Sequence, residues 1–277
     1  MDRSGFEPEA SCLRSAKILP RASKYMKELK RWMDQKGFSL SYRSEIKRYL
    51  KPLEDRDISG IYELREIIQS SPSNMILTVI RAYINFLLDN EIISDDTAMY
   101  FRKALPSRKT SVDGYIPTDL DVINAYLKIT RERDRILFKI LAFSGIRITE
   151  LVKMLSEYDH SRLITDGKIS KYPLNYNRGN KRSQYVYMPS DLALKLHRFY
   201  INKDTVSREI RQYGVAPKYM RKWFYNFLIM NNVPESVADF IEGRAPESVG
   251  SMHYLAKVKQ ADYWYALIVE VLQNSLD

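Results

Sequence analysis

The spacing of apolar residues predicts helices along most of the first hundred residues. Apolar side chains recur at helical spacing over residues 25–33 and again over 77–88, so each stretch has one face suited to a buried core. Shorter amphipathic patterns over 41–50 and 57–69 predict two further helices between them. We therefore predict a small helical domain at 22–105.

Segments without a helical period mark the ends of this domain. Residues 1–21 show no sustained apolar spacing, and we expect them to form an N-terminal arm. Residues 106–117 contain two prolines, a glycine and a basic pair, which is typical of an interdomain linker. Thr118 followed by Asp121 predicts a capping box that opens a second domain at 118–277.

The second domain combines helices with a hairpin. Its apolar patterns predict helices at 118–130, 133–143 and 147–155, and a C-terminal helix at 261–272. The stretch 171–189 has β-rich flanks around a Gly-Asn turn, which predicts a β-hairpin. Further helices are expected to begin near Ser190 and Asp204 and after Pro217, Pro234 and Pro246. The predicted fold is mainly α with a small β-sheet, and the second domain is of the α+β class.

Charge and composition narrow the possible partners. The formal net charge of +10 favours anionic partners, with nucleic acid first and an anionic membrane surface second. The single cysteine excludes an internal disulfide, and with three scattered histidines we expect no metal site and no cofactor. Neither a spanning apolar run nor an N-terminal signal stretch is found, nor an amphipathic face suited to a membrane surface. We expect a soluble, cytoplasmic protein.

The sequence has no nucleotide-binding glycine loop, no metal-spaced cluster and no GxSxG elbow. The candidate functional residues are therefore basic residues near turns. Arg147 follows a glycine at a predicted helix start, where its guanidinium can bind a phosphate bidentately. The alternative is an exposed ion pair between Arg147 and Glu150. Lys218 and Arg221 lie on one helical face and can hold a phosphate from one side, or they belong to a solvated basic stripe.

The hairpin tip and the C-terminal region add further candidates. Arg178, Lys181 and Arg182 crowd the predicted tip, where they contact DNA or serve solubility alone. Tyr254 is the candidate nucleophile on phosphorus, because nearby arginines can favour the anion of a phenol whose reference pKa is about 10. The alternative is that Tyr254 is a packing residue with a wet hydroxyl, as tyrosines commonly are.

Two segments resemble motifs of the tyrosine recombinases. SGIRITEL resembles their TGLRxxEL box, which implies that Arg147 is the first catalytic arginine and Glu150 its supporting residue. KYMRKWFYNFL resembles the HxxR box and the apolar helix that follows it. This second resemblance implies that Arg221 is the second catalytic arginine, with Lys218 in the histidine position.

Three more positions match in order. Lys181, in RGNKR, matches the catalytic lysine of a β-turn, and Arg178 is a rival for that role. Arg244 stands where the family usually has its later histidine. Tyr254 follows Arg244 by ten residues, whereas the family usually has nine, and position nine is His253. We assign Tyr254 as the nucleophile and His253 as a supporting neighbour.

The resemblance also implies a lineage and a mode of action. The KxxR form is similar to that of integrases from archaeal fuselloviruses and related plasmids. The resemblance to the family implies a two-domain clamp on double-stranded DNA and a homotetramer on that DNA. It also implies a 3′-phosphotyrosyl intermediate and a reaction that requires no metal or nucleotide. The resemblance covers residues 118–260, and for 22–105 it rests on position alone. A type IB topoisomerase and a non-catalytic DNA-binding protein of the same fold remain alternatives.

The N-terminal arm suggests a target site. The segment Gly5-Phe6-Glu7-Pro8 can be encoded by DNA that matches the T-arm of a transfer RNA gene. In integrases of the fuselloviral type, the attachment site lies within the integrase gene and copies part of a host tRNA gene. The resemblance therefore implies a tRNA-gene attachment site.

Overall fold

The computed structural model describes residues 17–71, 73–107, 113–178, 181–244 and 254–276, with the backbone alone described at 175–178, 181–183, 254 and 255. The chain divides into two compact units, Met1–Ser111 and Val112–Asp277. Residues 1–16 of the predicted arm 1–21, the linker centre at 108–112 and the helix expected after Pro246 lie outside the described residues. Of the described part of the arm, Leu19 is buried in the first unit.

The first unit is helical and packs around one long apolar helix. Its elements are a 3₁₀ turn at Ala22–Tyr25, α1 at Met26–Gln35, α2 at Leu40–Leu50, a 3₁₀ turn at Lys51–Leu53, α3 at Ile61–Ser70, α4 at Met75–Asp89 and α5 at Asp95–Arg102. Helix α4 is buried around much of its circumference, because nine of its fifteen residues are buried. The backbone of Ile58 pairs with that of Leu19 in an antiparallel bridge, so α3 begins later than its apolar pattern predicts.

The second unit places helices around a small sheet. Its helices are α6 at Asp119–Leu127, α7 at Glu132–Ser144, α8 at Ile148–Ser156, α9 at Ser190–Ala193, α10 at Lys203–Gln212, α11 at Pro217–Met230, α12 at Glu235–Glu242 and α13 at Tyr254–Asn274, with a 3₁₀ turn at His160–Arg162. The capping box of α6 is confirmed, because Thr118 Oγ1 accepts from Asp121 N and Asp121 Oδ2 accepts from Thr118 N.

The sheet has three antiparallel strands in the order β1-β2-β3, at Ile164–Asp166, Ile169–Arg178 and Lys181–Pro189. Strands β2 and β3 form the predicted hairpin, and Arg178 pairs with Lys181 at its tip. The expected fold class, mainly helical with a small β-sheet, is confirmed.

Helix α13 is anchored to the core of the second unit by a buried tyrosine. The hydroxyl of Tyr265 donates to the carbonyl oxygen of Phe143 near the end of α7, at 2.7 Å, and the side chain is fully buried. Burial raises the pKa of Tyr265 well above its usual value, so the phenol stays neutral and donates its proton to the carbonyl. Among the described helices, none is long and apolar enough to span a membrane.

Replacement of Tyr265 by Phe removes this hydrogen bond and leaves the carbonyl of Phe143 without that donor. We expect the second unit to lose about 1–3 kcal/mol of unfolding free energy, since a buried acceptor would be left unsatisfied. Urea titration followed by circular dichroism measures the loss. The control is Tyr263→Phe, on the same helix but 61% exposed, which should cost less than about 0.5 kcal/mol. Equal losses in the two variants would contradict the anchoring role.

Candidate active site

Arg147 stands at the N-cap position of α8, and its position is set by Glu150. Glu150 Oε1 accepts from Arg147 Nη1 at 2.9 Å, and Glu150 Oε2 accepts from the backbone N–H of Arg147 at 3.2 Å. Arg147 Nη1 also donates to the carbonyl oxygen of Gly243 at 3.1 Å. The predicted pairing with Glu150 therefore exists, but Glu150 is only 1% exposed, so this is a buried contact and not a surface ion pair.

Arg221 on α11 contacts the ends of two other helices. Its Nη1 donates to the carbonyl oxygen of Gly145 at 2.6 Å, and its Nη2 donates to that of Glu242 at 2.7 Å. Burial, opposed by the charge of Glu242, lowers the pKa of Arg221 to about 10. The guanidinium therefore remains charged at neutral pH, with 14% of the side chain exposed.

Arg244 follows the end of α12 and is held by two acids and one aromatic ring. Its Nε donates to Glu242 Oε2 at 2.8 Å and lies 3.7 Å from Asp239 Oδ1. The guanidinium carbon lies 3.8 Å from the ring centroid of Tyr225, which is a cation–π contact. With 39% of its side chain exposed, Arg244 is the most accessible of the three arginines.

Two left-handed glycines allow the helix ends to reach the arginines. Gly145 ends α7 with a φ of 58°, and Gly243 ends α12 with a φ of 65°. Each glycine carbonyl accepts from an arginine of another segment, Gly145 from Arg221 and Gly243 from Arg147. Because a helix C-terminus carries partial negative charge, both ends favour the guanidinium groups.

Glu242 lies among the three arginines and is fully buried. Burial raises the pKa of its carboxyl to about 7, although Arg221, Arg244 and Arg147 act in the opposite direction. Glu242 lies outside every motif recognised in the sequence. A signal exists, however, because Val237, Ala238 and Ile241 put position 242 on the buried face of α12, where a charge is unusual.

Arg147, Arg221 and Arg244, together with Glu150 and Glu242, form what we call the arginine cluster.

Lys218 has different surroundings from Arg221, although both lie on α11. Its Nζ donates to Asp113 Oδ2 at 3.0 Å and lies 4.3 Å from the ring centroid of Tyr219. The hydrogen bonds that Lys218 makes to Tyr219 and Asp113 raise its pKa, so it stays protonated. Lys218 in turn lowers the pKa of Asp113 to about 2. The ammonium group is thus paired with a carboxylate at an exposed position.

The remaining candidates are placed by backbone alone or lie outside the described residues. Arg178, Lys181 and Arg182 lie in the β2-β3 hairpin, with their side chains outside the described set. Tyr254 is the first residue of α13, which begins earlier than the apolar run 261–272 predicts. His253 lies outside the described residues.

A β-carbon at Gly145 would collide with the arginine cluster. An ideal Cβ there would lie 2.5 Å from Phe224 Cδ1 and 2.7 Å from Glu242 Oε1. We expect Gly145→Ala to cost roughly 2–4 kcal/mol of unfolding free energy, from left-handed strain together with overpacking. Thermal unfolding with circular dichroism measures this cost.

The matched control is Gly167→Ala, at a glycine with the same φ of 58° and nothing within 4 Å of its Cβ. It should show only the backbone strain, roughly 1–2 kcal/mol. If both glycine variants lose the same stability, close packing against Glu242 is not what requires Gly145.

Comparison with known proteins agrees with this fold. Residues 114–271 match the family model described as archaeal phage integrase. No curated protein sequence matches the chain.

Solved structures share the fold at low identity. A lambda integrase(75-356) dimer bound to a COC' core site matches at a TM-score of 0.55 and 15% identity, over 80% of this chain and 95% of that chain. A second lambda integrase dimer bound to a COC' core site matches at a TM-score of 0.55 and 14% identity, over 86% of this chain and 77% of that one. Since the family model covers more than half of the sequence, the chain belongs to the archaeal phage integrase family.

Proposed function

We propose that the chain is a site-specific DNA recombinase that cleaves and rejoins strands through a 3′-phosphotyrosyl intermediate. The observation that carries the proposal is the convergence of Arg147, Arg221 and Arg244 on the backbone and carboxylate of residues 242–244. Guanidinium groups bind phosphate oxygens through paired N–H donors and keep their charge at all physiological pH values. All three arginine side chains are partly exposed, so a phosphodiester can approach them.

The arginines suit the transition state as well as the substrate. Attack on phosphorus adds negative charge to the nonbridging oxygens, and fixed cations stabilise that charge. Because carboxylates and helix ends already hold the guanidiniums in place, little reorganisation is needed at the moment of reaction. Lys218 would add a further donor, with the phosphate in competition with Asp113 for its ammonium group.

The reaction starts when Tyr254 gives its phenol proton to water and its oxygen attacks the scissile phosphorus. The bond from phosphorus to the 5′-oxygen breaks, and Lys181 gives a proton to that leaving oxygen as general acid. A 5′-hydroxyl of a partner strand then attacks the phosphotyrosine and gives its proton to Lys181, and the released Tyr254 oxygen takes a proton from water. One phosphodiester replaces another, so the exchange consumes no nucleotide.

The partners follow from the same proposal. Recombination between two duplexes needs four cleavages, so we propose a homotetramer on double-stranded DNA. The tRNA-like sequence that encodes Gly5–Pro8 is the proposed attachment site for an archaeal mobile element. The net charge of +10 supports binding to DNA, with an affinity that falls steeply as the salt concentration rises.

Replacement of Tyr254 by Phe tests the nucleophile directly. Wild-type protein, incubated with a nicked duplex that carries the tRNA-like site, should form a covalent complex on a denaturing gel. Tyr254→Phe should form none, because a phenyl ring has no oxygen to attack phosphorus. Tyr263→Phe, an exposed tyrosine on the same helix, is the control and should keep the adduct.

Three outcomes separate the possible functions. An adduct that survives in Tyr254→Phe shows that another residue is the nucleophile. DNA binding without any adduct favours a non-catalytic DNA-binding protein. An adduct that reseals without strand exchange between two duplexes favours a topoisomerase of the IB type.

Replacement of the bridging 5′-oxygen of the scissile phosphate by sulfur shows which of Lys181 and Arg178 is the general acid. We expect Lys181→Ala to slow cleavage roughly 10²–10⁴-fold, because the leaving alkoxide loses its acid. A bridging 5′-sulfur should restore the rate, since a thiol with a pKa of about 8.5 leaves without a proton. Arg178→Ala should be slowed on both substrates alike. Rescue of Arg178→Ala, and not of Lys181→Ala, would exchange the two roles.

A further inference from the structure

Glu242 is an unusual residue at a site meant to receive an anion. Its carboxylate is fully buried, and it lies on the face of α12 that packs into the core. An isolated buried carboxylate is costly, because its charge loses the solvation of water. A neutral apolar residue would fill the same space without that cost, so its charge needs an explanation.

The two oxygens of Glu242 have different environments. Oε2 accepts from Arg244 Nε at 2.8 Å and lies 3.4 Å from Arg221 Nη2. Oε1 is buried and has no hydrogen-bond partner among the described residues. One oxygen therefore joins two arginines, while the other can take a proton without breaking an existing contact.

The charge balance of the arginine cluster changes with the state of Glu242. Three guanidiniums against two ionised carboxylates leave one net positive charge. A bound phosphodiester brings one negative charge of its own to the same guanidiniums, and it then competes with Glu242 for Arg221 and Arg244. Two anions facing the same cations repel each other, which favours the neutral form of the one that can be protonated.

We propose that Glu242 is a positioning residue of the phosphate site, which holds Arg221 and Arg244 together while the site is empty and takes up one proton when a phosphodiester binds. The proton comes from solvent and goes to the carboxylate, with no other bond made or broken. This inference rests on the proposed function, because it assumes that the arginine cluster receives the DNA phosphate.

The charged and titratable groups that face Glu242 come from α8, from α11 and from α12 with the residues that follow it. Helix α8 contributes Arg147 and Glu150, and α11 contributes Arg221 and Tyr225. The segment at the end of α12 contributes Arg244 and Asp239. The pKa of Arg221 is about 10 and burial raises that of Tyr225 to about 12, so neither changes charge between pH 6 and 8.

The sign of the pH dependence follows from the ionisation of Glu242. With a pKa of about 7, the carboxyl of the free protein is mostly neutral at pH 6 and mostly ionised at pH 8. If the DNA-bound form is neutral, binding at pH 8 must include proton uptake, whereas binding at pH 6 needs almost none. The dissociation constant should therefore rise about tenfold from pH 6 to pH 8 through this one group.

The test compares DNA binding by the full chain with that of Glu242→Gln. Glutamine keeps an oxygen that can accept from Arg244 Nε but cannot ionise. The probe is the intact, un-nicked duplex that carries the tRNA-like site, at constant salt. Glu157→Gln is the matched control, since Glu157 is 58% exposed and pairs only at the surface with Lys153.

For wild type and Glu157→Gln, we expect the dissociation constant to rise about tenfold from pH 6 to pH 8. For Glu242→Gln it should not change with pH, once the changes common to all three proteins are subtracted. Calorimetry at pH 8 in two buffers of different ionisation enthalpy should show about one more proton taken up by wild type than by Glu242→Gln. The three histidines are present in every variant, so their protons cancel in the comparison.

A second variant tests the positioning role. Glu242→Ala removes both oxygens and leaves Arg221 and Arg244 to repel each other, so single-turnover cleavage should fall roughly 10²–10³-fold. Glu242→Gln should retain most of the rate at pH 6. If Glu242→Ala does not fold, the pH comparison with glutamine still decides the matter.

The outcomes distinguish this inference from the proposed function. Equal proton uptake and equal pH profiles in wild type and Glu242→Gln would overturn the role of Glu242, even if Tyr254 still forms its adduct. Failure of the wild type to bind DNA at any pH would overturn both. If the pH dependence of DNA binding differs between wild type and Glu242→Gln but no adduct forms, the role of Glu242 is supported and only the cleavage chemistry is contradicted.

Discussion

Mutual repulsion among Arg147, Arg221 and Arg244 is the constraint on which the second unit depends. Guanidinium groups that face one another in a partly buried site destabilise the folded chain unless negative charge lies among them. Here the compensation comes from the buried carboxylates of Glu150 and Glu242. Carbonyl oxygens at the ends of two helices add to it. The site is thus stabilised by the groups that also fix its geometry.

This compensation explains why the elements end where they do. Both α7 and α12 end in a left-handed glycine, and the carbonyls of Gly145, Glu242 and Gly243 at these ends accept from arginines. The same glycine at 145 has no room for a side chain, because Phe224 and Glu242 occupy the space. Backbone conformation, packing and charge therefore all require glycine at position 145.

The sequence predicts the local parts of this arrangement better than the contacts between them. Long periodic segments such as α4 and α7 are recognisable because their apolar residues repeat over several turns. Helix α5 has only eight residues with two of them buried, and all three residues of β1 are exposed, so neither leaves a usable period.

The site shows the same division between local and distant information. Arg147 and Arg221 are recognisable because each lies within a compact motif. The bond from Arg147 to the carbonyl of Gly243 joins segments 96 residues apart, and no periodicity encodes it. Glu242 is hard to recognise for a related reason, since a single acid after an apolar stripe looks like an ordinary helix end until its burial is known.

The anchoring of α13 has a mechanical consequence for Tyr254. Among the described side chains of α13, the first buried one is Ala261, followed by Tyr265, whose hydroxyl donates to the end of α7. A helix rises about 1.5 Å per residue, so Tyr254 begins a lever about 10 Å long beyond Ala261. A tilt of about 10° at the anchor would displace the start of the helix by about 2 Å, which would decide whether the nucleophile that we propose at Tyr254 is within reach of phosphorus. The bond from Lys257 to Ser236 on α12 restrains that lever, so a small change at α12 would be magnified at the tyrosine.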